Sequence, residues 1–450
     1  MPPRAVSAVF DESNLFADVG LVPVMRLAER AGLAELARAS VRIDGADNSG
    51  GANPAAKVTS LIAAMCAGAD SIEGADRLRH GAMSTAFGGI RAPSTLGTFL
   101  RSFTHGHALQ LHAVHRTFLG ELAVHTPLVP GAGQLAFIDV DSTHKRVFGR
   151  AKPGAQYGRF KGIRTLHPLL STICTPLARP VIAGVRLRQG KSADSRGAER
   201  FVTEAVATAA EAGCTGIRLL RADSQFYDAG VVAVCRRAGA RFSITTGMNP
   251  SIKRAIAAVP DGAWRQIRYP TAVPDPTTGE LIFDAEVAEI PDYTAFTGRP
   301  KAEQVTARLI VRRVRDLAKP AVEGEQGELF PLWRHHPFFT DSPFETLQGE
   351  RQHRHHALIE KVIAGSKASG LAHLPSGHFN ANAAWLTLWA MTYNLRENLS
   401  RGGSGSVCIR MPRTGGRRVR RVTFDDPGLV SGYGGTRVSP PSKGAAPCSV

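Results

Sequence analysis

Three carboxylates far apart in the chain, Asp141, Asp223 and Glu360, sit where they could do joint chemistry. The first two follow strand-like apolar runs and the third lies on a helical stretch, so a fold could bring all three to one sheet edge. Hard divalent cations such as Mg2+ or Mn2+ take carboxylate oxygens. Two such ions about 3.5–4 Å apart can activate an attacking oxygen and stabilise a leaving one at a phosphodiester. Lys367, two helical turns beyond Glu360, lies on roughly the same face and could hold a phosphate. Each acid also has a plainer reading, since an Asp at a strand end is often a turn former or a helix cap. Acids are common and these intervals are long, so spacing alone does not choose between the readings.

The elements that must position them are legible as periodicities. In Phe137-Ile138-Asp139-Val140-Asp141-Ser142-Thr143, alternation puts Phe137, Asp139 and Asp141 on one side of a strand and Ile138 and Val140 on the other. Gly216 to Ala222 is a second strand, ending at Asp223-Ser224, and His356 to Ile363 is a helix carrying Glu360. Further strands are predicted over Leu169 to Thr175, Pro180 to Leu187 and Ala240 to Thr245, with helices over Ala198 to Ala212 and Phe226 to Ala238. The order is β-β-β-α-β-α-β, with one acid on the first strand and one just after the fourth.

Around this core, residues from about Ala5 to Val129 read as helices, among them Val22 to Gly32, Ala55 to Ala67, Ala92 to Phe103 and His107 to Ala123. Such a segment could be a helix-turn-helix reader of DNA or a cap that only packs on the next domain. A Pro/Gly-rich linker, Pro127 to Gly133, leads into the first strand. The loop from His144 to Arg164 carries Lys145, Arg146, Arg150, Lys152, Arg159, Lys161 and Arg164, with Phe148, Tyr157 and Phe160 interleaved. That mixture suits a phosphate backbone and unstacked bases, although a solvated loop has the same composition.

From about Gly247 to Pro343 the pattern changes to β type. Leu281-Ile282-Phe283, Thr306 to Val314 and Gly327 to Trp333 read as strands of an inserted subdomain, with Trp264 and Trp333 read as core or base-stacking residues. The histidines His335, His336, His353, His355 and His356 lack a compact ligand pair and are read as solvated or DNA-facing. Asn382 to Leu395, with Trp385, Leu388 and Trp389, is read as core. Beyond Ser400 the chain turns Gly-, Ser-, Pro- and Arg-rich, the composition of a disordered or backbone-contacting tail.

Bulk properties narrow the class. With 450 residues the chain has room for two or three domains, and 43% hydrophobic with 21% charged residues is a globular balance. The formal net charge of +17, with Arg far exceeding Lys, favours a polyanionic partner such as nucleic acid, unless it reflects only a GC-rich coding bias. Six cysteines without a CxxC pair speak against a zinc ribbon, a redox dithiol and a disulfide framework. No apolar run reaches membrane-spanning length and Met1-Pro2-Pro3-Arg4-Ala5 leads into no signal-peptide core, so the chain reads as cytosolic.

Ile138-Asp139-Val140-Asp141-Ser142-Thr143, then Leu219-Leu220-Arg221-Ala222-Asp223-Ser224-Gln225-Phe226-Tyr227, then Glu360 with Lys367, resemble the DDE transposases of bacterial insertion sequences, most closely the thirteen-eighty group. The resemblance covers about Ala5 to Asn398, and Arg-Ala-Asp-Ser-x-Phe-Tyr is its most specific segment. Relatives carry the third acid in a Tyr-x-x-Arg-x-x-x-Glu-x-x-x-x-x-x-Lys signature. Here Glu360 and Lys367 match, while His353 and His356 stand at the Tyr and Arg positions, with Arg354 nearby. The first acid is Asp139 or Asp141; Asp141 is preferred because the family acid lies two residues before a Thr or Ser, here Thr143.

The resemblance implies an α/β fold: an RNase H-like core, a mixed sheet flanked by helices, interrupted by a β-rich insertion and preceded by an all-α region. It implies a helical DNA-binding region over 1–130, core over 131–246 and 344–399, the insertion over 247–343 and a basic tail over 400–450. It further implies cut-and-paste transposition with two Mg2+ or Mn2+ ions on Asp141, Asp223 and Glu360. DNA contacts would come from Lys145, Arg146, Arg159, Lys161, Arg354, His356 and Lys367. The partners would be double-stranded DNA, as terminal inverted repeats and target, and a second copy in a homodimer, in the bacterial cytoplasm at the nucleoid. A nuclease that cuts without joining, or an inactive relative that only occupies the repeats, would share much of this pattern.

Overall fold

The computed structural model describes residues 16–44, 49–149, 151–158, 162–193, 195–269, 272, 279, 281, 283–315, 322–323, 329–330 and 333–401. The expected tail, and Arg150, Arg159 and Lys161 of the basic loop, lie outside the described residues. Residues Met1–Asn398 form one compact unit.

The described chain opens with helices α1 (Leu21–Arg30), α2 (Leu33–Ser40), α3 (Pro54–Cys66), α4 (Met83–Ala86), α5 (Pro93–Arg101) and α6 (His105–His125). Their ends follow local chemistry. Gly32, at φ 69°, divides α1 from α2 where a side chain would be strained, and Pro54 and Pro93 occupy first-turn positions that need no N–H donor. Thr104 and His107 cap α6 reciprocally.

The sheet region follows with β1 (Leu135–Ser142), β2 (Lys145–Arg146), β3 (Gln156–Tyr157), β4 (Arg164–Leu166), β5 (Leu169–Thr175), β6 (Ala178–Arg186), α7 (Ala198–Glu211), β7 (Ile217–Ala222), α8 (Ala229–Arg237), β8 (Arg241–Thr245) and α9 (Pro250–Ala257). Then come β9 (Arg265–Gln266), β10 (Ala285–Ala295), β11 (Val305–Arg315), β12 (Val322–Glu323), β13 (Leu329–Phe330), β14 (Trp333–Thr340), α10 (Thr346–Arg354), α11 (Leu358–Lys367) and α12 (Phe379–Arg401). The main sheet has the order β6-β5-β1-β7-β8-β14-β11-β10-β9. β1, β7 and β8 run parallel to one another, and the remaining neighbours pair antiparallel. This is a mixed α/β fold, a large mixed sheet flanked by helices.

The predicted β-β-β-α-β-α-β order corresponds to β1, β5, β6, α7, β7, α8 and β8. The basic loop after β1 adds a small separate sheet, β2-β4-β3. The strands expected of an inserted subdomain do not stand apart from this core. β14 pairs with β8, Phe339 opposite Ile244, and β11, β10 and β9 extend the same sheet. Leu281-Ile282-Phe283 supplies only a bridge residue at Leu281, with Ile282 outside the described residues. The long strand instead begins at Ala285 and was hidden by Pro291, which breaks a strand pattern; a register shift between Ile290 and Tyr293 absorbs it.

One apolar core runs from Leu21 to Leu395, so the N-terminal helices, the sheet and α12 are packed together. Trp385, Leu388 and Trp389 are buried in it, as the core reading expects, but so is every residue from Ala381 to Thr392, so the helix is buried on all sides and not along one amphipathic face. Trp264 and Trp333 behave differently. They sandwich the Arg313 guanidinium, at 4.1 and 4.3 Å from the ring centroids.

Gly190, four residues beyond β6, packs closely against the small sheet. A Cβ there would lie 2.0 Å from the Thr165 carbonyl oxygen and 2.7 Å from that of Gln156, both backbone atoms that cannot swing away. Gly190→Ala is expected to destabilise by about 1–3 kcal/mol and to loosen the basic loop first. Faster hydrogen exchange at β3 and β4 than in the main sheet would show it; uniform exchange would refute it.

Candidate active site

Parallel pairing of β1 with β7 sets Val140 opposite Ala222, so Asp141 and Asp223 leave the two strands side by side at their carboxyl edge. Asp141 is the penultimate residue of β1 and Asp223 the first beyond β7. Asp223 accepts from the Gln225 N–H at 2.9 Å and caps a 3-10 turn, Ser224–Phe226, so the plain capping role coexists with its place at this edge. Asp141 accepts from the Ser142 N–H at 2.6 Å. Glu360 lies in the first turn of α11, whose buried face, Ile359, Val362 and Ile363, packs against β1 and β6.

The three charges feel one another. Burial, with smaller contributions from the negative charges of Asp223 and Glu360, pushes the Asp141 carboxyl up to about 6, against the Ser142 N–H and His356, which lower it. Hard carboxylate donors crowded at one edge, one of them reluctant to ionise, are the chemistry a divalent cation relieves, so the donor set fits such an ion. Among the described residues no three His, Cys, Asp or Glu side chains lie close enough to grip one, so gripping requires these carboxylates to draw together.

Asp139 has a different fate. Its carboxylate is fully buried and takes two hydrogen bonds from Arg221, Nε to Oδ1 and Nη2 to Oδ2, each 2.7 Å. Both oxygens are thereby committed to the pair, which leaves Asp141 as the acid of β1 at the edge. Burial opposes ionisation of Asp139, but the Arg221 guanidinium and His356 outweigh it and hold the carboxyl below the usual range. Arg221 is equally buried, directly opposite Asp139 in the strand register, and lies 4.0 Å from the centroid of the Phe137 ring. In the sequence Arg221 is only one member of the Arg-Ala-Asp-Ser segment. The available signal was its alternation with Asp223, two residues on.

The two histidines of the signature are corrections to the reading of solvated or DNA-facing groups. His356 turns inward, its Nδ1 3.1 Å from Asp139 Oδ1. His353 places Nδ1 2.8 Å from Ser243 Oγ and Nε2 2.9 Å from Thr245 Oγ1, and its ring stacks on Phe338 at 4.2 Å. Burial, with the charges of His356 and Arg221, pushes His353 down to about 3, so it is a neutral strut between α10 and the sheet. Neither ring could be oriented from sequence, because both partners are nonlocal.

The basic candidates divide as well. Lys145 Nζ donates to the Ala372 carbonyl at 2.7 Å, and burial and the nearby Lys367 charge lower its pKa, which brings these two lysines into one neighbourhood. Lys367 is exposed at the end of α11. Arg146 lies over the exposed Phe148 ring at 4.7 Å, and Tyr157 of β3 is also exposed. Arg354 is partly exposed and pairs with Glu350 at 3.2 Å. Sequence reading gave no role to a pair of stacked histidines behind Asp141. The His144 and His167 rings are 4.1 Å apart, and His167 Nε2 lies 3.0 Å from Ser142 Oγ.

No curated protein sequence matches the chain. A piggyBac transposase, solved by cryo-EM in a synaptic complex with hairpin DNA, is similar at 10% identity and a TM-score of 0.41, covering 86% of this chain and 76% of its own. The family model described as transposase DDE domain group 1 matches residues 2–405. With the match spanning both aspartates and the glutamate, the chain belongs to the DDE transposases.

Proposed function

We propose that this transposase cuts and pastes DNA, acting at the terminal inverted repeats of a bacterial insertion sequence of the thirteen-eighty group. The observation that carries the reading is the convergence of Asp141, Asp223 and Glu360 on the carboxyl edge of β1 and β7, close enough for each charge to oppose ionisation of Asp141. Asp141, Asp223 and Glu360 would hold two Mg2+ or Mn2+ ions, which when bound activate a water and stabilise the departing 3′-oxygen. Lys367, beside Lys145, meets the phosphate flanking the scissile bond, and Arg354 adds a cation at the end of α10. Arg146 with Phe148 and Tyr157 offers charge and an aromatic face to the DNA beyond it. Arg159 and Lys161 belong to the same basic loop.

In this reading β1, β5, β6, β7 and β8 with α7 and α8 form an RNase H-like core, residues 1–130 bind the repeats, and two copies pair two element ends in the cytoplasm. Residues 131–246 and 344–399 divide the core around the 247–343 insertion, and the basic 400–450 segment contacts DNA backbone. The net charge of +17 supports a polyanionic partner throughout.

The test is cleavage and joining of a labelled duplex carrying the flanking repeat, with Mg2+ or Mn2+, for wild type, Asp223→Asn and Glu360→Gln. Wild type is expected to cut at the element end and join it to target. Each variant should bind the duplex with unchanged affinity and lose cleavage by well over 100-fold, more than loss of a group that merely orients a ligand. Cutting without joining would make the protein a nuclease. Binding without cutting by wild type would make it a repeat-occupying protein.

A further inference from the structure

Beneath the acidic edge lies a second, fully polar constellation, and each of its members stands just before one of the acids in the chain. Asp139 is two residues before Asp141 on β1, Arg221 two before Asp223 at the end of β7, and His356 four before Glu360 at the entry to α11. Two strand residues cover about 7 Å and four helical residues about 6 Å, so each member stands one short step from its acid. We propose that Asp139, Arg221 and His356 are positioning residues that fix the backbones carrying Asp141, Asp223 and Glu360, so that the three carboxylates can draw together on divalent metal. The inference rests on the reading of those three acids as the metal-holding set.

The contacts form a closed network. Arg221 gives Nε and Nη2 to the two Asp139 oxygens, donates through Nη1 to the Gln352 carbonyl of α10 at 2.6 Å, and touches Cys174 Sγ at 3.6 Å. Asp139 receives the His356 ring nitrogen at 3.1 Å and the Cys174 thiol at 3.8 Å. A planar fork on a carboxylate fixes angle as well as distance, so β1 and β7 cannot slide or tilt against each other without breaking two bonds. His356 then ties the start of α11 to the same carboxylate. An apolar replacement of similar volume would serve stability as well or better, which leaves geometry as the reason for a buried ion pair at this level. The family signature has Arg where His356 stands; this chain uses the position to reach inward.

The experiment uses the full chain with His356→Ala, His356→Asn and His356→Gln, and Asp141→Asn as reference. Three quantities are read: Mn2+ affinity by calorimetry, duplex affinity, and cleavage rate against Mn2+ concentration. His356→Ala is expected to weaken Mn2+ binding and cleavage roughly 10- to 100-fold, the range for groups that orient metal ligands, with duplex affinity within about twofold. His356→Asn, whose amide nitrogen falls near the position of Nδ1, should recover most of the loss, and His356→Gln should not. Equal behaviour of the Ala and Asn variants, or unchanged Mn2+ affinity beside a lower melting point, would reduce the network to a structural role and overturn the inference. If Asp141→Asn binds Mn2+ and cuts like wild type, the acid reading itself fails. If Asp141→Asn loses Mn2+ binding while His356→Ala matches wild type, only the positioning role fails.

Discussion

Arg221→Met is expected to destabilise the folded protein by about 3–5 kcal/mol, because it strands the buried Asp139 carboxylate without its counter-charge. The lost attraction is only part of this. Asp139 is fully buried beside Phe137 and Cys174, and its contacts beyond Arg221 are the His356 ring nitrogen and the Cys174 thiol. Asp139→Leu combined with Arg221→Met should recover most of the loss, since no unpaired charge then remains buried, and the cycle of single and double variants should show strong coupling. The pH dependence has a definite sign. Asp139 ionises more easily folded than unfolded, so its contribution is present above the ordinary carboxylate pKa and fades as pH falls through the depressed folded value. Urea midpoints of the four proteins near neutral pH check the claim. A loss below about 1 kcal/mol for Arg221→Met would mean that Asp139 is satisfied elsewhere. If the double variant is stable yet cuts poorly, stability and positioning are separated in one molecule.

The contrast between these two aspartates shows what a sequence can reveal of such a site. Alternation in Phe137 to Thr143 placed both on one face of a strand, and that face is the one found, with Phe137, Cys174 and Leu219 packed together on it. Which aspartate stays at the edge depends on the residue across the ladder, and the register of β1 with β7 spans about eighty residues of chain that carry no local record of it. Helices α3, α5 and α6 were legible because first-turn Pro or Thr caps are local signals, and α7 because its apolar spacing is. β10 was not, because Pro291 breaks its pattern and only pairing with β11 shows that a bulge accommodates it. The histidines were missed for the same reason as the register. His353 and His356 differ by three positions, yet one bridges two hydroxyls of β8 and the other reaches β1. A charge or ring at helical spacing states a direction, and the partner in that direction is a property of the fold.

Asp141→Asn is expected to give a protein that no longer cuts and is more stable than wild type. Burial and the charges of Asp223 and Glu360 move the Asp141 carboxyl from 3.8 to about 6 in the folded state. The folded protein therefore binds this proton more tightly than the unfolded chain does. Stability drawn from the protonated form is fully present below about pH 4, declines as pH rises to about 6, and stays low above it. A displacement of this size sets a ceiling of about 3 kcal/mol on the cost of the ionised group, and Asn, isosteric and neutral, avoids it. The variant and wild type should therefore unfold alike near pH 4 and diverge by about 1–3 kcal/mol at pH 7, other titrations cancelling in the difference. Saturating Mn2+ should close that gap by stabilising wild type while leaving Asp141→Asn unmoved, since only a protein that binds the ion gains from it. Urea unfolding of both proteins across this pH range, with and without Mn2+, decides the matter. A gap that fails to widen with pH would remove Asp141 from the crowded edge. A variant less stable than wild type at pH 7 would mean that the carboxylate is held by bonds worth more than its burial costs.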